Sequence, residues 1–276
     1  MQYDPVKRRL GLVFNRTPLL RRIFYRLLDL LLLRAWHVHK ELRSWMRHVA
    51  STHRVDRNGA IKIYDAGAGY GQYSYWLSSR SRDWSITALD VKEEQVTDCN
   101  AFFQKIGRPK VRFQVGDVTR YTEPDAFDLV VCVDVMEHIL EDEAALRCYS
   151  TSLKKGGMLI ISTPSDQGGS DVHDAGEGSF IEEHVRDGYN IDDLKAKCIR
   201  NGASRVEARY AAGTPGKISW RLSMKWPLLM LNASKLFFIV LPFYYVVAYP
   251  IAYVLNWCDV AFQHSTGTGL IVKAWR

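Results

Sequence analysis

The sequence predicts an α/β protein built on a parallel, doubly wound sheet. Three observations carry this. From residue 61 onward, short β-branched runs alternate with helical patterns, the mark of βαβ units. The first run, Ile61–Tyr64, passes through Asp65 into glycines at 67, 69 and 71, and then into a helix-like stretch from Gln72. Three acidic residues, Asp65, Asp90 and Asp117, fall at successive strand ends. In a doubly wound sheet those ends share one edge, where ligands bind.

The chain has 276 residues, enough for one α/β domain with additions. Its net charge of +7 is placed unevenly. The first fifty residues hold eleven Lys/Arg against Asp4, Asp29 and Glu41, and the remainder is close to balanced. Such asymmetry points to an anionic surface as partner. Residues 1–57 read as a basic, amphipathic helical segment. Within Leu19–Arg34, Arg22 and Arg26 share one face, and Leu20, Phe24, Leu27, Leu28 and Leu31 line much of another. Two readings stay open: a helix lying in a membrane interface with its arginines on anionic headgroups, or a helix packed over the sheet domain. Nucleic acid is not the expected partner, because the arginines are interleaved with Leu instead of stacking aromatics.

Residues 58–212 form the predicted sheet domain. Ile61–Tyr64 is the first strand and Gln72–Ser79 starts a helix. Ser85–Asp90 is the second strand, followed by a helix through Phe103. Val111–Val115 is the third, and Phe127–Val133, apolar enough to be buried on both faces, is the fourth. Glu141–Leu153 reads as a helix, Lys154–Gly157 as a turn and Met158–Ser162 as the fifth strand. Residues 165–180 are rich in Gly, Ser and Asp and read as a mobile loop. Cys99, Cys132, Cys148, Cys198 and Cys258 show no metal-ligand spacing, which fits reduced thiols in a cytosolic compartment. No metal is expected, and no cleavable signal peptide is read at the start.

The glycines at 67, 69 and 71 allow positive φ and close approach of a ligand to the backbone. Asp90 is placed to accept hydrogen bonds from the ribose hydroxyls of a nucleoside, as also happens in nicotinamide-binding proteins. Asp117 with Val118 sits where an adenine amino group would be read. For any one aspartate a strand-end or capping role is an equal alternative; the set at matching positions is less easily accidental.

Asp65-Ala66-Gly67-Ala68-Gly69-Tyr70-Gly71, then Asp90, Gly116-Asp117, Phe127 through Glu137-His138, and Leu153 through Gly157 resemble the class I S-adenosylmethionine-dependent methyltransferases. The likeness is strongest to the small-molecule group that includes the ubiquinone-type enzymes, and covers about residues 58–212 plus the last ten. It implies a Rossmann-like, seven-stranded sheet whose last strand is antiparallel, with S-adenosylmethionine as cofactor. It also implies that Gly67, Gly69 and Gly71 hold the methionine part, with Asp65 near its ammonium group. Asp90 would bind the ribose, Asp117 and Val118 the adenine, and Val133 and Asp134 would line the pocket opposite. A nicotinamide cofactor is disfavoured because the loop is Asp-x-Gly-x-Gly-x-Gly and not Gly-x-Gly-x-x-Gly. Candidate bases are His138 and His184, with His173 behind them; a structural role is the alternative for each.

Ala203–Ala211 and Gly269–Trp275 read as the sixth and seventh strands, an antiparallel pair by the same resemblance. Residues 213–268 intervene as an apolar helical insertion, and 269–276 return as the last core strand. Leu236–Leu255 carries no charged side chain and is long enough to span a bilayer. Topology argues against a single crossing, since strands six and seven must meet in one sheet. Pro242 and Pro250 favour kinked or broken helices. A re-entrant hairpin, a monotopic surface, a cap over the site, a buried subdomain and a dimer interface remain. Trp220, Trp226, Trp257 and the tyrosines at 244, 245, 249 and 253 suit an interfacial belt. The expectation is a peripheral or monotopic methyltransferase on the cytoplasmic side of a membrane. Its acceptor would be a quinone, an aryl or polyene lipid, or a lipid headgroup. The alternatives are a soluble methyltransferase with an apolar pocket and a non-catalytic cofactor-binding scaffold.

Overall fold

The computed structural model describes residues 17–52, 60–168, 185–234 and 236–276. Seven strands form one sheet in the order β3-β2-β1-β4-β5-β7-β6. They are β1 (Lys62–Ala66), β2 (Ser85–Asp90), β3 (Val111–Val115), β4 (Phe127–Val133), β5 (Leu153–Pro164), β6 (Arg205–Ala211) and β7 (Gly269–Trp275). The first five run parallel, and β7 lies antiparallel between β5 and β6. This is the Rossmann-like, doubly wound arrangement expected, with the last strand antiparallel. The chain turns one way from β1 to β2 and the other way to β4, so a crevice opens between β1 and β4 at their carboxyl ends.

Alternation along the strands builds a core on each face. Ile63, Leu129, Val131 and Ile160 point to one, and Tyr64, Val130, Cys132 and Ile161 to the other. The first face is covered by α1 (Pro18–Leu31), α2 (Leu33–Thr52), α3 (Gln72–Ser78) and α4 (Glu93–Lys105); the second by α5 (Asp142–Ser152) and α6 (Ile191–Arg200). Tyr25, Val38, Leu42 and Trp45 belong to the same buried cluster as Ile63 and Leu129. The N-terminal helices are therefore packed over the sheet.

Local chemistry sets the helix ends. Thr17 caps α1 by accepting from the Leu20 N–H (3.2 Å), and Pro18 opens its first turn. Asn190 caps α6, with Asp192 and Asp193 in the first turn and Lys197 and Arg200 in the last.

Three expectations are corrected. The inward face of α1 is Arg21 and Tyr25, while Leu27 stands outside with Leu19, Ile23 and Leu30. Arg21 and Tyr25 can be buried because protein carbonyls satisfy their polar ends. Lys154–Gly157 is not a free turn: β5 already begins at Leu153, and Gly156, at φ +78°, absorbs the register shift against β4. The insertion consists of α7 (Thr214–Trp220), a π-helical turn (Arg221–Lys225), α8 (Trp226–Ala233) and α9 (Phe237–Ala261). Despite its two prolines, α9 is one helix of 25 residues. Both prolines lie on its exposed side, where a loosened turn meets no packed neighbour.

The base of the insertion is pinned by Asp259, which is fully buried. It accepts from His37 Nε2 (2.8 Å) and from the backbone N–H groups of Ala212 (3.1 Å) and Gly216 (2.9 Å). His37 in turn meets Arg209, which pairs with Glu41, itself bridged to Lys273. Burial pushes the His37 pKa down, so the ring is neutral and acts as a hydrogen-bonding strut between α2, β6 and α9. The belt of aromatics divides. Tyr244 and Tyr245 turn inward and donate to the carbonyls of Leu222 (2.7 Å) and Ser223 (2.8 Å) in the π-helical turn. Trp220, Trp226, Tyr253 and Trp257 stay exposed.

Candidate active site

The β1–α3 turn places three glycines at positive φ: Gly67 (+69°), Gly69 (+53°) and Gly71 (+78°). A Cβ on Gly71 would sit 2.7 Å from Phe113 Cζ, so this glycine serves core packing. A Cβ on Gly69 would meet nothing within 4 Å. The loop backbone at Gly69 therefore faces open space on the crevice side, the approach a bound ligand requires.

Asp65 is buried behind the loop, and Ser74 Oγ donates to its Oδ2 (2.7 Å). Desolvation pushes its carboxyl up to about 6, with the Asp90 charge adding to this. Because this pKa lies above the ordinary carboxylate value, ionising Asp65 opposes folding as pH rises from about 4 to about 6. The site keeps a buried acid that an incoming cation would satisfy. Asp90, at the end of β2, accepts from Gly69 N–H (2.8 Å) through Oδ2 and from Lys92 N–H (2.9 Å) through Oδ1. It braces the glycine loop from the neighbouring strand. Asp117 accepts from the N–H (2.8 Å) and hydroxyl (2.7 Å) of Thr119, and these bonds hold its carboxyl below the usual range. Val118 beside it is buried.

Across the crevice β4 ends at Val133, followed by Asp134 at φ +52°, an unfavourable backbone for a non-glycine residue and typical of functional turns. Its N–H is fixed by the Ser162 carbonyl (2.9 Å), and its carboxylate pairs with Arg34 of α2. His138 closes a short 3₁₀ turn, Met136–His138, and is exposed. Its neighbour Glu137 is buried, accepts from Thr163 Oγ1 (3.1 Å), and has its carboxyl pushed up by desolvation. His173 and His184, with most of the loop at 165–180, lie outside the described residues. The structure thus gathers Asp65, Gly67, Gly69, Gly71, Asp90, Val133 and Asp134 around one crevice, with Asp117 and Val118 after the adjoining β3. Among the described residues, no group of three or more His, Cys, Asp or Glu is arranged to hold a metal.

Sequence reasoning missed the lining contributed by the N-terminal helices. Tyr25 OH (2.5 Å) and Arg21 Nη2 (3.1 Å) both donate to the carbonyl of Tyr70, inside the glycine loop. Arg21 also reaches the Asp98 carbonyl (3.1 Å) and Cys99 Sγ (2.8 Å) on α4. Gln72 Nε2 donates to Asp29 (2.7 Å), whose carboxyl burial pushes up to about 6. With Arg34 on Asp134, α1 and α2 touch both walls of the crevice. The available signal was an arginine and a tyrosine at i,i+4 within an apolar helix, Arg21 and Tyr25.

A glycine loop braced by a strand-end aspartate, at the switch point of a doubly wound sheet, defines a nucleoside-cofactor domain. Residues 63–157 match the family described as a methyltransferase domain. The human mitochondrial ubiquinone biosynthesis O-methyltransferase is 30% identical over 107 residues, 37% of this chain and 28% of that protein. The phosphoethanolamine N-methyltransferase of Triticum aestivum is 28% identical over 140 residues, 50% of this chain and 27% of that one. The chain thus spans less than a third of either relative's length. Among solved structures, Haemonchus contortus phosphoethanolamine N-methyltransferase 2 in complex with S-adenosyl-L-methionine superposes with a TM-score of 0.55. It is 15% identical, covering 84% of this chain and 52% of that one. The [4+2]-cyclase SpnF superposes at 0.53 with 16% identity, covering 79% and 76%. At such identities the likeness is one of fold. This chain carries a class I S-adenosylmethionine-dependent methyltransferase domain, and S-adenosylmethionine is its cofactor.

Proposed function

We propose that this protein methylates a hydrophobic, membrane-resident small molecule while attached to the cytoplasmic face of a bilayer. The acceptor class is a quinone, an aryl or polyene lipid, or a lipid headgroup. One observation carries the reading: packed against the α1–α2 cover, α9 turns an apolar face outward. Phe238, Ile239, Phe243, Val246, Val247, Ile251, Val254 and Trp257 are all at least half exposed along it. A contiguous face of that kind marks an interaction surface. It is also long and apolar enough to cross a membrane. With β6 and β7 paired along their length, both ends of the insertion return to one sheet, which favours a helix lying in the interface. The relatives named for ubiquinone biosynthesis and for phosphoethanolamine support a small-molecule acceptor.

In this reading the Gly67–Gly71 loop holds the methionine part of the cofactor. Asp65 offers the carboxylate for its ammonium, Asp90 meets the ribose, Asp117 and Val118 meet the adenine, and Val133 and Asp134 line the far wall. The cofactor supplies a methyl group already activated on a sulfonium. The protein's own work is to align the acceptor, exclude water and take a proton where the acceptor carries one. The α1–α2 cover and the Arg34–Asp134 bridge serve the exclusion of water. His138 and His184 are the proposed bases.

Membrane attachment is tested by replacing Phe243 and Val247 with Asp. Both are exposed, at 73% and 67%, so the fold loses little packing. Each apolar side chain buried is worth about 1.5–3 kcal/mol, so partitioning onto vesicles should fall roughly a hundredfold or more in a flotation assay. A parent protein that ignores vesicles, or a double variant that floats unchanged, would remove the membrane from this reading.

A further inference from the structure

The two faces of α1 do different jobs. Inward, Arg21 and Tyr25 hold the Tyr70 carbonyl of the glycine loop and Asp29 holds Gln72, the first residue of α3. Outward, Leu19, Ile23, Leu27 and Leu30 form a single stripe, at 66, 41, 39 and 39% exposure, flanked by the exposed Arg22 and Arg26. The sole acidic residue of α1, Asp29, is turned toward Gln72 and His39, away from that stripe.

This outer face continues into the insertion. Tyr249 OH donates to the Leu30 carbonyl (3.2 Å), as does Trp36 Nε1 (3.1 Å), and Trp36 stacks edge-on against Tyr253 at 4.9 Å. The insertion shares the charge bias. Residues 208–258 contain no Asp or Glu, and Lys217, Arg221 and Lys225 recur at four-residue spacing before the apolar helices. An apolar surface with cationic flanks, whose residues 208–258 contain no acidic side chain and whose α1 turns its Asp29 to Gln72 and His39, is complementary to an anionic lipid leaflet.

Resting on the membrane reading above, we propose that an anionic bilayer docks on α1 and α9 together and that this docking tightens cofactor binding. The coupling runs through one helix. Lipid on the outer stripe and arginines stabilises α1 in its packed position. In that position its inner face fixes the loop that receives the methionine part of the cofactor. The effect is reciprocal: cofactor binding must raise affinity for the anionic surface by the same factor.

The test is the affinity of the full chain for S-adenosylhomocysteine, measured by calorimetry in three conditions. These are no vesicles, phosphatidylcholine vesicles, and phosphatidylcholine vesicles carrying phosphatidylserine. The expected result is a gain of at least about fivefold, the lower end of ordinary coupling between sites, with the anionic vesicles only. The R22E/R26E variant should keep its vesicle-free affinity, which also shows that it is folded, and lose the gain; R22Q/R26Q should lose part of it. If the chain attaches to anionic vesicles but binds the ligand equally with and without them, the coupling is overturned and membrane attachment stands. If the charge-reversed variant keeps the full gain, the assignment to α1 is overturned. A chain that attaches to neither vesicle overturns the coupling and the membrane reading together.

Discussion

Replacing Asp90 with alanine should lower affinity for S-adenosylmethionine about a hundredfold, roughly 2.7 kcal/mol, while leaving the chain folded. The carboxylate has two tasks. It accepts the Gly69 and Lys92 N–H groups at 2.8 and 2.9 Å, and so sets the shape of the glycine loop. In the proposed reading it also meets the ribose of the cofactor from the end of β2. A hydrogen bond to a charged group contributes about 1.5–3 kcal/mol, and alanine removes every one Asp90 makes. Asparagine keeps an acceptor oxygen and should lose less. Titration calorimetry reads both variants, with thermal unfolding as the control. An Asp90→Ala chain that binds the cofactor like the parent would show that the crevice holds it in another way.

The second large effect is on stability. Gly71→Ala places a Cβ 2.7 Å from Phe113 Cζ and 3.2 Å from Phe103 Cε2, at φ +78°. Those two rings stack at 5.3 Å inside the core, so neither can retreat freely. A left-handed non-glycine costs about 1–2 kcal/mol and overpacking about 1–3 kcal/mol, giving a loss of roughly 2–5 kcal/mol. At about 2–4 °C per kcal/mol for a chain of this size, the melting temperature should fall by roughly 5–20 °C. Gly69 separates the two roles of the loop. Its Cβ would meet open space, so Gly69→Ala carries only the backbone cost, and its main effect should be on cofactor affinity. Equal melting temperatures for the two variants would contradict this division.

The sheet was legible because buried strands leave a strong local record. Ser85–Asp90, Val111–Val115, Phe127–Val133 and Gly269–Trp275 sit where their β-branched runs place them. The placement of the crevice residues was legible for a related reason: ends of parallel strands lie on one edge by topology, so Asp65 and Asp90 could be set side by side before any contact was seen. What the sequence hid were contacts between segments far apart in the chain. Nothing local to Arg21 shows that its partner is the Tyr70 carbonyl, nor that Arg34 bridges to Asp134. The same holds for Leu27. Helical periodicity locates an apolar stripe but cannot choose between core and solvent when a polar pair, Arg21 and Tyr25, finds buried partners on the opposite side. The prolines of α9 suggested a break that the helix does not show: each removes one backbone hydrogen bond, and both face outward, where the freed carbonyls reach solvent.

The central claim is methyl transfer to a membrane-resident acceptor. It is met most directly by incubating the full chain with S-adenosylmethionine labelled on its methyl group and with isolated membranes, then partitioning the products. The account predicts label in an organic-phase compound heavier than its precursor by one CH2, formed together with S-adenosylhomocysteine and absent with Asp90→Ala. Label that appears only in water-soluble products, or no turnover with membranes present, would contradict it.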